Sequence, residues 1–74
     1  MKATTENATT KLTVNGDEVA LAAATLAGAL DELGFVERVV ATALNGVFVP
    51  VRLRAETALK DGDRLEILTP MQGG

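Results

Sequence analysis

Two Asn-Gly pairs, each set between short apolar segments, constrain the fold of this chain more than any other feature. In the first half, residues 11–14 alternate polar and apolar side chains, Asn15-Gly16 follows, and residues 18–22 alternate again. Alternation is the period of a half-buried strand, and Asn-Gly suits a type I′ turn, which needs positive φ at both central residues. The sequence therefore predicts a β-hairpin over residues 11–22.

The second Asn-Gly pair predicts another turn. Residues 39–44 form a β-branched and apolar run, Asn45-Gly46 comes next, and residues 47–49 are typical of a short strand. Pro50 follows, and proline ends a strand or confines it to a sheet edge because it has no N–H to donate.

One amphipathic helix is predicted between the two hairpins. Thr25 is a suitable N-cap, and Gly34 stands where a glycine commonly ends a helix. Between them, apolar side chains recur at the spacing of one helical face: Leu26, Ala29, Leu30 and Leu33.

The last predicted strand follows a turn over residues 60–63. Residues 64–67 alternate, so Leu65 and Ile67 should face one way and Leu68 the other, whereas residues 51–59 have no clear period and form a linking stretch. The order of strands and helix predicts an α+β fold of the ubiquitin-like β-grasp type. It has a mixed sheet of four to five strands, one main helix across it, and the final strand beside the first.

Length and composition indicate one small domain and disfavour several functions. Residues 1–10 lack apolar periodicity and are predicted to be a disordered arm, with the domain over residues 11–74 and a flexible tail over residues 69–74. The chain of 74 residues has no cysteine and no histidine, which disfavours a disulfide, a metal site and a catalytic dyad. A net charge of −3 disfavours nucleic-acid binding.

No apolar run reaches the roughly 20 residues that span a bilayer, and no signal peptide is evident, so we expect a cytoplasmic protein without a membrane partner.

The sequence ends in Gly73-Gly74. A tail without side chains can enter a channel too narrow for a Cβ atom, and glycine reaches backbone angles that other residues do not. An ordinary α-carboxylate is ionised at neutral pH and is a poor electrophile. Acyl chemistry at this carboxylate therefore requires activation, most simply as an acyl-adenylate formed with ATP.

Three stretches are distinctive when taken together. They are residues 43–50 (ALNGVFVP), residues 57–67 (TALKDGDRLEI) and the terminal Gln72-Gly73-Gly74. With these motifs at this spacing, the chain resembles the ThiS family, the small sulfur-carrier proteins of thiamine biosynthesis, over residues 11–74.

The resemblance implies a protein co-substrate that is not itself an enzyme and binds no cofactor of its own. A ThiF-like adenylyltransferase of the ubiquitin-activating type would use ATP to adenylate the carboxylate of Gly74. A sulfur donor protein would then displace AMP to leave a thiocarboxylate, which a ThiG-like thiazole synthase would consume. Gly74 is thus the attachment site, and Gly73 and Gln72 give the tail its access.

Two departures from the family pattern concern recognition and leave the terminal chemistry untouched. Val51 stands where many such carriers have Arg, and Met71 replaces a smaller aliphatic residue. Leu68 and Phe48 are predicted to form, with Met71, an apolar docking patch beside the tail; the alternative is that Leu68 or Phe48 completes the core.

Other functions share parts of this pattern. A small molybdopterin-synthase subunit or another biosynthetic sulfur carrier would use the same terminal chemistry for a different product. A ubiquitin-like modifier would form an isopeptide bond with a target lysine, and a β-grasp binding module would make no use of the two glycines. The remaining carboxylates do not suggest an enzyme, because Asp61 and Asp63 are most simply turn residues and Glu66 belongs to a solvated strand face.

Overall fold

A computed structural model describes residues 9–36 and 38–70 of the chain. Two hairpins flank the helix in sequence, as predicted. The first consists of β1 (Thr10–Val14) and β2 (Asp17–Leu21), and the second of β3 (Ala41–Leu44) and β4 (Val47–Val49). The helix α1 spans Leu26–Glu32, and the last strand, β5, spans Arg64–Leu68.

Both Asn-Gly pairs form the predicted turns. Asn15 and Asn45 have φ of 52° and 53°, and Gly16 and Gly46 have φ of 91° and 85°. These left-handed values at both central residues are those of a type I′ turn. The pairing Val14↔Asp17 and Leu44↔Val47 leaves two residues in each loop, which fixes the register of each hairpin.

The helix begins and ends at the predicted residues. The Thr25 hydroxyl accepts a hydrogen bond of 3.2 Å from the N–H of Gly28, which satisfies one of the free N–H groups of the first turn. At the other end Gly34 has φ of 92°, and the N–H of Phe35 donates to the carbonyl of Leu30. This is the Schellman arrangement that a C′ glycine permits.

The five strands form one mixed sheet in the order β2-β1-β5-β3-β4. β1 and β5 are parallel neighbours, whereas the other pairs are antiparallel. The predicted placement of the final strand beside the first is confirmed, and with it the α+β, ubiquitin-like β-grasp architecture.

The core lies between the helix and one face of the sheet. Leu26, Ala29 and Leu30 are buried on the helix, and Leu33 packs against them while partly exposed. The sheet contributes alternate residues, of which Leu12 and Leu65 are at most 2% exposed. The helical stripe is therefore core, as its spacing predicted.

The structure corrects one predicted boundary and adds detail to two other segments. Thr10 belongs to β1, where it pairs with Leu21, so the domain starts before residue 11; residues 1–8 of the predicted arm lie outside the described residues. β3 begins at Ala41, so residues 39 and 40 of the apolar run precede it, and the side chain of Arg54 donates a hydrogen bond to the carbonyl of Val40. The linking stretch contains a 3-10 helix, Val51–Glu56. A 3-10 helix has three residues per turn, so its sequence shows neither the 3.6-residue period of an α-helix nor the two-residue period of a strand.

Candidate functional site

β5 carries the chain from the centre of the sheet to the predicted reactive tail. Leu65 and Ile67 are buried, and Arg64, Glu66 and Leu68 are exposed, which confirms the predicted alternation. Thr69 and Pro70 follow as exposed residues without regular structure. The predicted site residues Met71, Gln72, Gly73 and Gly74 lie outside the described residues, so their roles remain predictions.

The side chains of the two turn asparagines hold β5 at both ends. The side chain of Asn15 accepts from the N–H of Ile67 (2.8 Å) and donates to its carbonyl (3.1 Å), so it continues the β1–β5 pairing beyond the end of β1. The side chain of Asn45 accepts from the N–H of Arg64 at 2.9 Å. Each asparagine therefore has two roles, since it also adopts the left-handed conformation of its turn. The sequence predicted only the turns.

The turn before β5 is fixed by its two aspartates. Asp63 is 5% exposed and accepts from the Asn45 side-chain amide (3.0 Å) and from the N–H of Lys60 (2.8 Å). The hydrogen bond from Asn45, followed by that from Lys60, lowers the pKa of the Asp63 carboxyl below its usual value even though burial acts in the opposite direction. Asp61 accepts from the N–H of Lys11 at 2.8 Å. Both aspartates are turn residues, as predicted.

Leu68 and Phe48 lie on the face of the sheet opposite the helix. Leu68 is 64% and Phe48 is 65% exposed, so the alternative that they complete the core is wrong. Leu68 pairs with Ala41, and Phe48 pairs with Ala43 on the next strand. The two side chains thus stand on one face with small alanine side chains between them.

A shallow apolar groove of about 270 Å³ lies where the chain leaves the sheet. One wall is formed by the residues around the start of β3, and the other by the end of β5: Val39, Val40, Ala41, Leu68, Thr69 and Pro70. Val39 is 80% exposed, so the segment just before β3 presents an apolar side chain to solvent. No sequence pattern predicts the groove, because it depends on the separation of two strands that are distant in sequence.

Arg54 is a buried cation that the sequence also did not distinguish. It is 9% exposed, and its Nε and Nη2 donate to the Thr42 hydroxyl (3.1 Å) and the Val40 carbonyl (2.6 Å). Its neighbour Arg52 is exposed. The local sequence does not predict which of the two arginines is buried, because this depends on how the 3-10 helix packs against the sheet.

Residues 9–36 and 38–70 hold neither a metal-binding cluster nor a membrane-spanning helix. Within these residues no group of three or more acidic side chains is arranged to hold a metal ion. No helix in this part of the chain is long and apolar enough to cross a membrane.

Comparison with known proteins connects these features with a family. The sequence model of the ThiS family matches residues 7–74. A solved structure, the thiamine biosynthesis protein ThiS from Geobacter metallireducens, superposes with a TM-score of 0.73 at 32% identity, over 86% of this chain and 99% of that one. A thiazole synthase from Paramagnetospirillum magneticum is 42% identical over 65 residues; these cover 86% of this chain and 20% of that relative, so the chain spans about a fifth of its length. Since the family match extends over the whole described fold and the fold agrees with a solved member, the chain belongs to the ThiS family.

Proposed function

We propose that this protein is a sulfur carrier of thiamine biosynthesis whose reactive group is the carboxylate of Gly74. A ThiF-like adenylyltransferase joins this carboxylate to AMP from ATP and releases pyrophosphate. Sulfide-level sulfur released by a donor protein attacks the acyl carbon, and the new C–S bond replaces the C–O bond to AMP, so that AMP leaves with one of the two original carboxylate oxygens. A ThiG-like thiazole synthase then takes the sulfur from the thiocarboxylate.

The observation that carries this proposal is the family match, which extends to residue 74 and so includes both terminal glycines. The similarity to part of a thiazole synthase supports thiazole formation as the use of the sulfur. The described residues also suit a carrier, because their polar clusters bind the protein's own backbone. Asn15, Asn45 and Asp63 are engaged in this way.

The geometry of β5 suits delivery of a tail to an enzyme. The strand is central in the sheet and is fixed at Arg64 and Ile67 by the two asparagines. Only Thr69 and Pro70 separate its last residue from Met71. A rigid strand that ends so near the reactive group fixes the starting point of the tail, which reduces the entropy lost when an enzyme binds it.

The test is sulfurylation in a defined mixture of the protein, ATP, its adenylyltransferase and a sulfide source. Intact-mass spectrometry should show an increase equal to the difference between sulfur and oxygen. A matched protein with residues added after Gly74 has an amide at this position, which cannot be adenylated, and it should fold without the mass change. Equal sulfurylation of the extended protein would refute the assignment of Gly74.

Leu68, Phe48 and Met71 are proposed to dock the adenylyltransferase. Exposed apolar side chains near a reactive end are the usual anchors of a partner interface, and the first two share one face of the sheet. Leu68→Asp should weaken binding to the enzyme while leaving the free energy of unfolding nearly unchanged.

Val47→Asp is the matched control for this docking surface. Val47 is 66% exposed, close to the 64% of Leu68, but it neighbours Phe48 on β4 and so points to the other face of the sheet. If the two aspartate variants bind the adenylyltransferase equally, measured by calorimetric titration, the docking surface is misplaced.

A further inference from the structure

Arg54 connects the 3-10 helix with both strands of the second hairpin. Its Nη2 donates to the Val40 carbonyl, and its Nε donates to the hydroxyl of Thr42. That hydroxyl in turn donates to the carbonyl of Val49 at 2.8 Å. Since each group in such a chain polarises the next, the three bonds act together in this buried setting.

The position of Arg54 follows from the early end of β4. Thr42 pairs with Val49, and the same register continued by two residues would place Val40 opposite Val51. Val51 instead begins the 3-10 helix, so no backbone from β4 reaches the carbonyl of Val40. The guanidinium of Arg54 takes the place of the missing strand, because a buried carbonyl without a donor is costly.

The carbonyl that Arg54 binds belongs to one wall of the groove at the root of the tail. Val40 and Ala41 face Leu68, Thr69 and Pro70 across this groove. The pairing between β3 and β5 extends to Ala41↔Leu68, and Pro70 has no N–H with which to prolong it. Residues 68–70 are therefore held in place by the start of β3. Arg54 in turn holds the start of β3 from the side that faces away from β5.

We propose that Arg54 is a positioning residue for the carrier reaction, which fixes the place where the tail leaves the sheet. Without it, the backbone before β3 loosens and residues 68–70 lose their fixed neighbour. An adenylyltransferase would then have to order this segment on binding, which weakens association without altering the chemistry at the carboxylate. This inference rests on the proposed sulfur-carrier function.

The test compares Arg54→Met with Arg52→Met in the sulfurylation reaction. Both changes remove one positive charge from the same 3-10 helix, but Arg52 is exposed and Arg54 is buried. Methionine has a similar length and keeps much of the apolar packing of the arginine stem, while it leaves the Val40 carbonyl without its donor. For Arg54→Met we expect the KM for the carrier to rise about tenfold with kcat unchanged; for Arg52→Met we expect a change within about twofold.

Hydrogen exchange provides a readout that does not depend on the enzyme. Arg54→Met should lose amide protection at Ala41 and Leu68 and keep it in β1, whereas Arg52→Met should match the wild type. An unchanged KM for a folded Arg54→Met variant, or an equal rise for Arg52→Met, would overturn the proposal. If Arg54→Met does not fold, Arg54→Lys is decisive, because lysine retains the charge but cannot donate from two nitrogens to Thr42 and Val40 at once. A wild-type KM for this variant would overturn the proposal, and a raised KM would support it. Failure of the wild-type protein to gain sulfur would instead refute the proposed function, and the exchange pattern would still report on Arg54.

Discussion

Substitution of Asn15 by glycine isolates the side-chain contact that holds the end of β5. Asn15 has φ of 52°, a conformation that glycine adopts without strain, so Asn15→Gly preserves the turn and removes only the amide. Two hydrogen bonds to Ile67 are lost, at 2.8 and 3.1 Å. A typical intramolecular hydrogen bond contributes about 0.5–1.5 kcal/mol net, so the two together contribute about 1–3 kcal/mol.

The unfolded chain adds to this loss. Glycine has more conformational freedom than asparagine in the unfolded state, and the loss of this freedom on folding costs a further amount of roughly 0.5–1 kcal/mol. We therefore expect Asn15→Gly to lower the free energy of unfolding by about 1.5–4 kcal/mol. In a domain of this size that corresponds to a melting temperature lower by roughly 6–30 °C.

Urea denaturation followed by circular dichroism measures this change. Asn15→Asp is the comparison variant, because aspartate, like asparagine, tolerates the left-handed backbone conformation of the turn. Aspartate retains the oxygen that accepts from the N–H of Ile67 but places a second oxygen, without a proton, against the Ile67 carbonyl. It should therefore be destabilised at neutral pH by about 1–3 kcal/mol through loss of the donor. A loss below about 0.5 kcal/mol for both variants would show that water replaces the amide at no cost, and the asparagine would then matter only as a turn residue.

Three other predictions concern the turn before β5, the tail and the start of the chain. Because its native hydrogen bonds lower the pKa of the Asp63 carboxyl below the ordinary value of 3.8, its stabilising contribution is fully present above pH 3.8 and is lost as pH falls through the lower folded pKa. Asp63→Asn should cost about 1–3 kcal/mol at neutral pH and reduce this acid sensitivity, which urea denaturation at a series of pH values would measure; an unchanged pH profile would contradict it. Gly73→Val adds a β-branched side chain to the narrow tail, so sulfurylation should fail while the melting temperature stays within about 1–2 °C of the wild type, and normal sulfurylation would exclude a narrow channel. Deletion of residues 1–8 should leave the melting temperature and sulfurylation unchanged, since this segment offers few apolar side chains to a core; a lower melting temperature would show that the segment packs on the domain.

Local chemistry alone identified most of the elements. The Asn-Gly pairs at residues 15–16 and 45–46 require left-handed backbone that few other dipeptides adopt, so both turns and their registers were predictable. Thr25 and Gly34 marked the ends of the helix for similarly local reasons. The alternation in β5 was enough to predict that Leu68 points away from Leu65 and Ile67, and the three family motifs, which include the terminal glycines, indicated the ThiS family.

Tertiary structure decided how distant residues share their hydrogen bonds. The contacts of Asn15 with Ile67 and of Arg54 with Val40 join residues 52 and 14 positions apart, and no local pattern encodes such a distance. Likewise, Leu68 and Phe48 are exposed because no element within residues 9–36 and 38–70 covers that face of the sheet. The sequence thus determined which segments turn, coil or extend, because those choices depend on a residue and its near neighbours. The packed sheet determined which polar side chain satisfies which backbone group, because that choice requires the whole register of five strands.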